Sequence, residues 1–278
     1  REIRGSFPDV RIIYGGVYPS YAYQSILQHV PEIDAIVRGE GEKTIVDLLS
    51  AWEKDASLGT VAGVVWRRGA EIVVNRPRSA IQHLDLYRPG WELLDWENYQ
   101  MFGFDRAAGL QFSRGCTLTC TYCGQWMFWK KWRHRSVDNI VENMRLLKDV
   151  YGVKIIWFAD ENFAADRDLA KELLERIIES DLDLSLNLNM TAADVVRDAE
   201  LLPLYKKAGV DYIVMGIESV KDDVITDIRK NNPFAVSKEA VRLLRENNII
   251  SLTNLIYGLE DESCMRSSRG CWNWIRIS

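Results

Sequence analysis

The chain has 278 residues, of which 47% are apolar, and carries a formal net charge of −5. That length points to about two domains with real cores, and the acidic balance excludes the basic footprint of a nucleic-acid binder. No apolar run approaches a membrane span and the start carries no signal-peptide pattern, so a soluble cytoplasmic protein is expected.

The chain opens on Arg1-Glu2-Ile3-Arg4, which reads as the last turn of a helix already under way. Residues 10–14 are predicted as a strand running into Gly15-Gly16, where paired glycines let a backbone turn sharply and approach a ligand closely. A helix is expected over 20–30 and a short apolar strand over 34–37. A second helix follows Gly39-Glu40-Gly41-Glu42, with Ile45, Leu48, Leu49 and Trp52 on a 3.6-residue period. Residues 61–66 and 71–75 read as a hairpin. The alternation of strand and helix makes residues 1–75 the edge of a doubly wound α/β sheet. Residues 76–108, with Pro77, Pro89 and mixed aromatics, read as a linker whose Leu84-Asp85-Leu86 and Trp91-Glu92-Leu93-Leu94 pieces pack on domain surfaces.

From 109 to 263 the pattern is strand, helix, strand, helix. The first strand is expected over 109–113. Ser136 caps a helix carrying Val137, Ile140, Val141, Met144 and Leu147 that stops near Gly152. Strands are predicted over 153–158, 183–190, 212–217 and 250–257. The helices between them start at Asp166, pass through Leu201, Leu204 and Tyr205, and cover 237–246. In the third strand Leu184, Leu186, Leu188 and Met190 face one way, and Ser185, Asn187 and Asn189 face the other. In a parallel barrel the apolar row meets the helices, and the polar row then lines a lumen that holds ligand.

Between the first strand and the Ser136 helix lies Ser113-Arg114-Gly115-Cys116-Thr117-Leu118-Thr119-Cys120-Thr121-Tyr122-Cys123. Three thiolates that close together can hold three irons of a cubic 4Fe–4S cluster, leaving the fourth iron open to a chelating small molecule. A structural zinc site needs four ligands, and His134 stands alone downstream. A disulfide would leave one thiol over. Cys116, Cys120 and Cys123 are therefore the expected metal ligands.

The cysteine spacing, with aromatic Tyr122 before the third cysteine, resembles the signature of the radical S-adenosylmethionine (SAM) enzymes. That resemblance implies that SAM chelates the open iron through its amino and carboxylate groups and is cleaved by an electron from the cluster. It also implies a partial (βα)6 barrel, here cut off after strand five. Residues 1–75 resemble the C-terminal part of the Rossmann-like cobalamin-binding domain that precedes many such barrels, with Gly15 and Gly16 against the cobalamin nucleotide tail. The Asp-x-His-x-x-Gly pattern that supplies an axial histidine is absent, and His29, His83 and His134 do not sit in one. By the same resemblance Asp160, Glu161 and Asn162 end strand two near the SAM amino group, although Asp160 and Glu161 can equally cap the next helix. Glu218 and Ser219 end strand four near the ribose or methionyl part, and Glu262 follows strand five near the adenine. Asn189 is a weaker candidate from strand three.

The segment Gly124-Gln125-Trp126-Met127-Phe128-Trp129-Lys130-Lys131-Trp132-Arg133-His134-Arg135 is aromatic and basic. Its rings suit a planar macrocycle with propionates, or they bury the cluster and dock the two domains. Read with residues 157–166, it resembles the anaerobic magnesium-protoporphyrin IX monomethyl ester oxidative cyclases of bacteriochlorophyll synthesis over most of residues 8–263. That implies a tetrapyrrole substrate, closure of its isocyclic ring, and a reductant such as flavodoxin or ferredoxin. A cobalamin-dependent radical SAM methyltransferase of another substrate shares both domains. Residues 264–278 lack acidic residues and periodicity and add Cys264 and Cys271. They read as a truncated or frameshifted tail, which leaves an inactive fragment as a third possibility.

Overall fold

The computed structural model describes residues 2–103, 105–230 and 232–259. The chain divides into two units, Arg1–His83 with Met127–Lys130, and Leu84–Trp126 with the residues from Lys131 onward. Glu262 and the tail from 264 lie outside the described residues.

In the first unit a short helix α1 (Glu2–Ser6) precedes β1 (Ile13–Gly15), α2 (Val17–His29), β2 (Ala35–Val37), α3 (Glu42–Glu53) and the hairpin β3 (Val64–Arg68) and β4 (Glu71–Val74). The sheet order is β1-β2-β3-β4, with β1 and β2 parallel and the rest antiparallel. Successive side chains of a strand point to opposite faces, and here each face has its own helix. Ala35, Val37 and Val64 pack with Leu48 and Ala51 of α3, while Ile36 and Val65 pack with Ile26 and Leu27 of α2. That explains why β2 reads as an unbroken apolar run. Gly16, at φ +103, is the residue before α2, so the helix begins three residues earlier than predicted. The face α3 buries is Thr44, Leu48 and Ala51; Leu49 is exposed.

The second unit starts with three 3-10 turns and then a hairpin of β5 (Gln100–Met101) and β6 (Asp105–Leu110). After it come β7 (Ser113–Arg114) and β8 (Arg133–His134); α4 (Gln125–Trp129), between them in sequence, is divided between the two units. The remaining elements are α5 (Val137–Tyr151), β9 (Ile155–Phe158), α6 (Arg167–Ser180), β10 (Ser185–Asn189), α7 (Ala192–Arg197), α8 (Leu202–Lys207), β11 (Val210–Glu218), α9 (Asp222–Asp227), α10 (Phe234–Glu246) and β12 (Ile250–Leu255). The sheet order is β12-β11-β10-β9-β6-β5. Within this sheet β6, β9, β10, β11 and β12 pair in parallel throughout. Each strand lies beside its successor on the same side, so the crossovers wind one way and the sheet curls as a partial barrel.

The outward row of β10 behaves as its alternation requires. Leu184, Leu186, Leu188 and Met190 are buried in one core with Leu173 and Leu174 of α6 and Tyr205 of α8. The inward row departs from expectation, because protein groups take most of it. Ser185 Oγ donates to Asp211 at 2.7 Å, and Asn187 Nδ2 reaches Met101 Sδ at 3.5 Å. Phe102, beside Met101, stacks on Tyr212 with ring centroids 5.4 Å apart. The hairpin before β6 therefore meets the lower part of the inward row, and a cavity borders its upper end at Asn189.

The stretch expected to pack on domain surfaces keeps Leu86 and Leu93 exposed but buries other residues more deeply than expected. Leu84, Trp91 and Trp96 are buried, and Trp96 stacks on Tyr151 of α5 at 4.9 Å. The first strand ends at Leu110, not 113, because Ser113 and Arg114 leave to pair with β8. Helices α7 (Ala192–Arg197) and α9 (Asp222–Asp227) were not anticipated. Gly209 sits at φ +93 where β11 begins, and a Cβ there would overlap the Leu184 carbonyl oxygen. Gly209→Ala should therefore destabilise the second unit by about 2 kcal/mol or more, read as a fall in Tm. An unchanged Tm would mean that this crossing is not constrained.

Candidate functional site

The cysteine loop leaves the sheet at the C-terminal end of β6, the end where parallel α/β barrels carry their chemistry. Two contacts hold its entry. Asp160, just past β9, accepts hydrogen bonds from the Phe112 and Ser113 amides at 3.0 and 2.5 Å and from Ser113 Oγ at 2.5 Å. Gly115, at φ +98, lets the loop pass the 131–132 backbone; a Cβ there would meet the Lys131 carbonyl oxygen at 2.7 Å. Farther along, the Thr121 amide donates to the Ile228 carbonyl at 3.0 Å. Tyr122 packs against Val224, Ile225, Ile228 and Leu259, so the segment after β11 is the floor under the loop.

Cys116, Cys120 and Cys123 line one cavity of about 360 Å³, and all three are free thiols. The amides of Leu118 and Gln125 point at Cys116 Sγ and Cys123 Sγ, each at 3.4 Å. Burial pushes the Cys116 and Cys120 thiols up, while the Lys230 ammonium pulls both down. Among the described residues no three His, Cys, Asp or Glu side chains converge to hold a single metal ion. A cubic cluster asks for something different, one thiolate for each of three irons. Three thiols spread along one cavity wall, two of them met by amide donors, fit that demand.

The opposite walls come from the ends of β9, β10, β11 and β12: Glu161, Asn189, Thr191, Glu218 and Asn254. Glu161 Oε2 accepts from the Gly115 amide at 3.3 Å. Asn189 Nδ2 donates to the Phe158 and Asp160 carbonyls at 3.3 and 3.0 Å. Asp160 borders the cavity, but its carboxylate is committed to the loop entry. Two other predicted residues point elsewhere. Asn162 donates to Asp194 at 2.7 Å, and Ser219 Oγ accepts from the Lys221 amide at 3.2 Å; neither lines the cavity. Asp166, not Asp160 or Glu161, caps α6. Gly15 and Gly16 belong to the first unit.

Three cavity residues were missed: Lys230, Asn254 and the hydroxyl of Tyr122. Glu218 sits at φ +67 beyond a register shift in β11, which turns its carboxylate into the cavity. There it accepts from Tyr122 Oη at 2.7 Å and from Lys230 Nζ at 3.1 Å. Lys230 lies in a loop with no periodicity or motif, so only the tertiary fold brings it here. Burial and the Glu218 carboxylate both hold the Tyr122 phenol well above its usual range.

Comparison with known proteins adds three findings. The model of the radical SAM superfamily matches residues 110–265. The chain is 39% identical to the anaerobic magnesium-protoporphyrin IX monomethyl ester cyclase of Synechocystis sp., over 93% of this chain and 52% of that protein. It is 34% identical to the cyclase of the same name from Cereibacter sphaeroides, over 96% of this chain and 45% of that protein. The chain thus spans about half the length of the curated relatives it matches. Its fold is shared with a radical SAM methyltransferase from Kitasatospora setae, solved with cobalamin and a 4Fe–4S cluster bound. That match has a TM-score of 0.71 at 18% identity, covering 91% of this chain and 51% of the other.

The brace at Asp160 yields a stability test. Burial pushes its carboxyl up to about 7, against the Ser113 and Phe112 hydrogen bonds that favour the ionised form. With the folded value raised above the unfolded one, its contribution is full below the ordinary carboxylate range and is lost as pH rises through about 7. Asp160→Asn should cost about 1–3 kcal/mol, since an amide NH2 cannot accept from the second backbone N–H. It should also flatten the decline of Tm between about pH 4 and about pH 7. A variant with wild-type Tm and an unchanged pH slope would contradict the brace.

Proposed function

The chain belongs to the radical SAM superfamily, and on that premise we propose that it carries the SAM-cleaving half of an anaerobic cyclase acting on magnesium-protoporphyrin IX monomethyl ester. The observation that carries the first part is the cavity, with three thiols on one wall and polar strand ends on the other. The second part rests on 39% identity to a cyclase over 93% of the chain. Bound at this site, a 4Fe–4S cluster with SAM supplies one-electron reductive cleavage and a carbon radical that abstracts hydrogen.

What the chain itself does is hold, orient and exclude. Cys116, Cys120 and Cys123 hold the three irons. The Leu118 and Gln125 amides stabilise the Cys116 and Cys123 thiolates. Glu161, Asn189, Thr191 and Asn254 offer oxygens and amides to the amino-acid and ribose parts of SAM. The buried floor under Tyr122 keeps water from the cluster side of the cavity.

Residues 1–75 are the C-terminal part of a cobalamin-binding domain in this reading. Its support is the helix on each face of the sheet and the left-handed Gly16 at the start of α2. Gly15 and Gly16 give the cobalamin tail close access to backbone. A flavodoxin or ferredoxin is the expected electron donor and a tetrapyrrole the expected substrate. Among the described residues no helix is long and apolar enough to cross a membrane, and free thiols suit the reducing cytoplasm we assign.

Two measurements test the proposal. Replacing Cys116, Cys120 and Cys123 together by Ala should abolish iron loading and the release of 5′-deoxyadenosine, while Cys264→Ala and Cys271→Ala leave both intact. Unchanged iron content in the triple variant would sink the assignment. The full-length protein, given SAM, cobalamin, reductant and the porphyrin ester without oxygen, should form protochlorophyllide. A methylated product would instead favour a methyltransferase.

A further inference from the structure

Lys230 is a buried cation at the site that the cofactor roles above leave without a task. Only 9% of it is exposed, and its Glu218 partner is 7% exposed. Among the described residues it is the one basic side chain lining the cavity shared by the three cysteines. The pair rests directly over Gly216, where a Cβ would collide with Glu218 Oε1 and come within 2.7 Å of Lys230 Nζ. The Tyr122 hydroxyl donates to the same carboxylate oxygen, Glu218 Oε1, at 2.7 Å, as Lys230 Nζ does at 3.1 Å. The ammonium is therefore held by a carboxylate over a glycine floor, and the Tyr122 hydroxyl ties that carboxylate to the cysteine loop.

Holding a charged pair in a buried place costs desolvation that a hydrophobic pair would avoid. Tyr122 anchors Glu218, and the loop is already tied down by the Thr121 amide and the cluster of apolar side chains around Ile228. Fold stability alone does not call for a lysine here. The charge has another use. Three thiolates on an oxidised cluster leave the site net anionic, and an added electron deepens that charge in a low-dielectric pocket. A fixed cation within reach of Cys116 and Cys120 favours the more negative, reduced state.

We infer that Lys230, positioned by Glu218 over Gly216, sets the reduction potential of the cysteine-loop cluster and makes its one-electron reduction easier. This rests on the reading of the loop as a 4Fe–4S site. Lys230 is a positioning charge in this role, acting through space on the cluster. Glu218 tempers it, so the two residues shift the potential in opposite directions.

The test uses the 278-residue chain and its Lys230→Met, Lys230→Arg and Glu218→Gln variants, reconstituted anaerobically with iron and sulfide. Iron content is measured first. Each sample is then titrated with dithionite in the absence of SAM, with the reduced cluster read by electron paramagnetic resonance. Lys230→Met should lower the midpoint potential by at least about 59 mV, the one-electron equivalent of a tenfold fall in the reduced-to-oxidised ratio at fixed poise. Lys230→Arg should return it toward the wild-type value, and Glu218→Gln should raise it.

A merely structural role would not give shifts of opposite sign. Coincident midpoints for wild type and Lys230→Met at equal iron content would overturn this inference and leave the cluster assignment standing. Should Lys230→Met fail to fold, Glu218→Gln decides alone, and a midpoint unmoved or lowered overturns the inference. A wild-type chain that takes up no cluster would overturn both.

Discussion

Asp160 ties the end of β9 to the turn after β6, and the cysteine loop hangs from that turn. Its two oxygens take two backbone amides and one hydroxyl from Phe112 and Ser113. A hydrogen bond of this kind contributes about 0.5–1.5 kcal/mol net; the three favour the ionised carboxyl, and its burial works against that form. The balance is a rigid joint in place of a solvated cap. Everything downstream, from the glycine at 115 to the thiol at 123, inherits its position from this joint. The second support comes from the far side, where the α9 segment meets the loop at Thr121 and Tyr122.

Between those supports the site is electrostatically unfavourable by construction. Burial makes the Cys116 and Cys120 thiols resist ionisation, yet thiols that hold iron must ionise. The Leu118 amide at Cys116 and the ammonium of Lys230 oppose that penalty. The register shift in β11 gives Glu218 its left-handed backbone, and Gly216 leaves room for the pair that results. The irregularity of this strand end is therefore part of the site. A regular strand would have pointed Glu218 away from the loop.

The architecture was readable because its cause is periodic. Alternation along β10 placed Leu186 and Leu188 in the core, and the 3.6-residue spacing from Val137 to Leu147 and from Leu169 to Ile177 fixed α5 and α6. The proposed metal ligands stood out because three cysteines in one loop restrict the chemistry severely, and the structure brings their thiols to one cavity. Other features left no local signal. Trp91 and Trp96 sit in a proline-containing stretch without periodicity, and nothing in sequence shows that they enter the core. Asp160 and Asn162 lie in a motif-like run, but side-chain direction separates a brace from a ligand, and direction depends on Ser113 and Asp194 arriving from elsewhere. Lys230 is the extreme case, far from the cysteines in sequence and brought to them only when β11 and α9 are in place.

The central claim is that Cys116, Cys120 and Cys123 hold a cluster whose remaining iron faces the cavity and takes SAM directly. Electron–nuclear double resonance on the reduced cluster, with SAM isotopically labelled at its amino nitrogen and carboxylate oxygen, tests this most directly. The account predicts hyperfine coupling from both labels in the wild-type chain. A reduced cluster present at full iron content, with no coupling from either label, would contradict it.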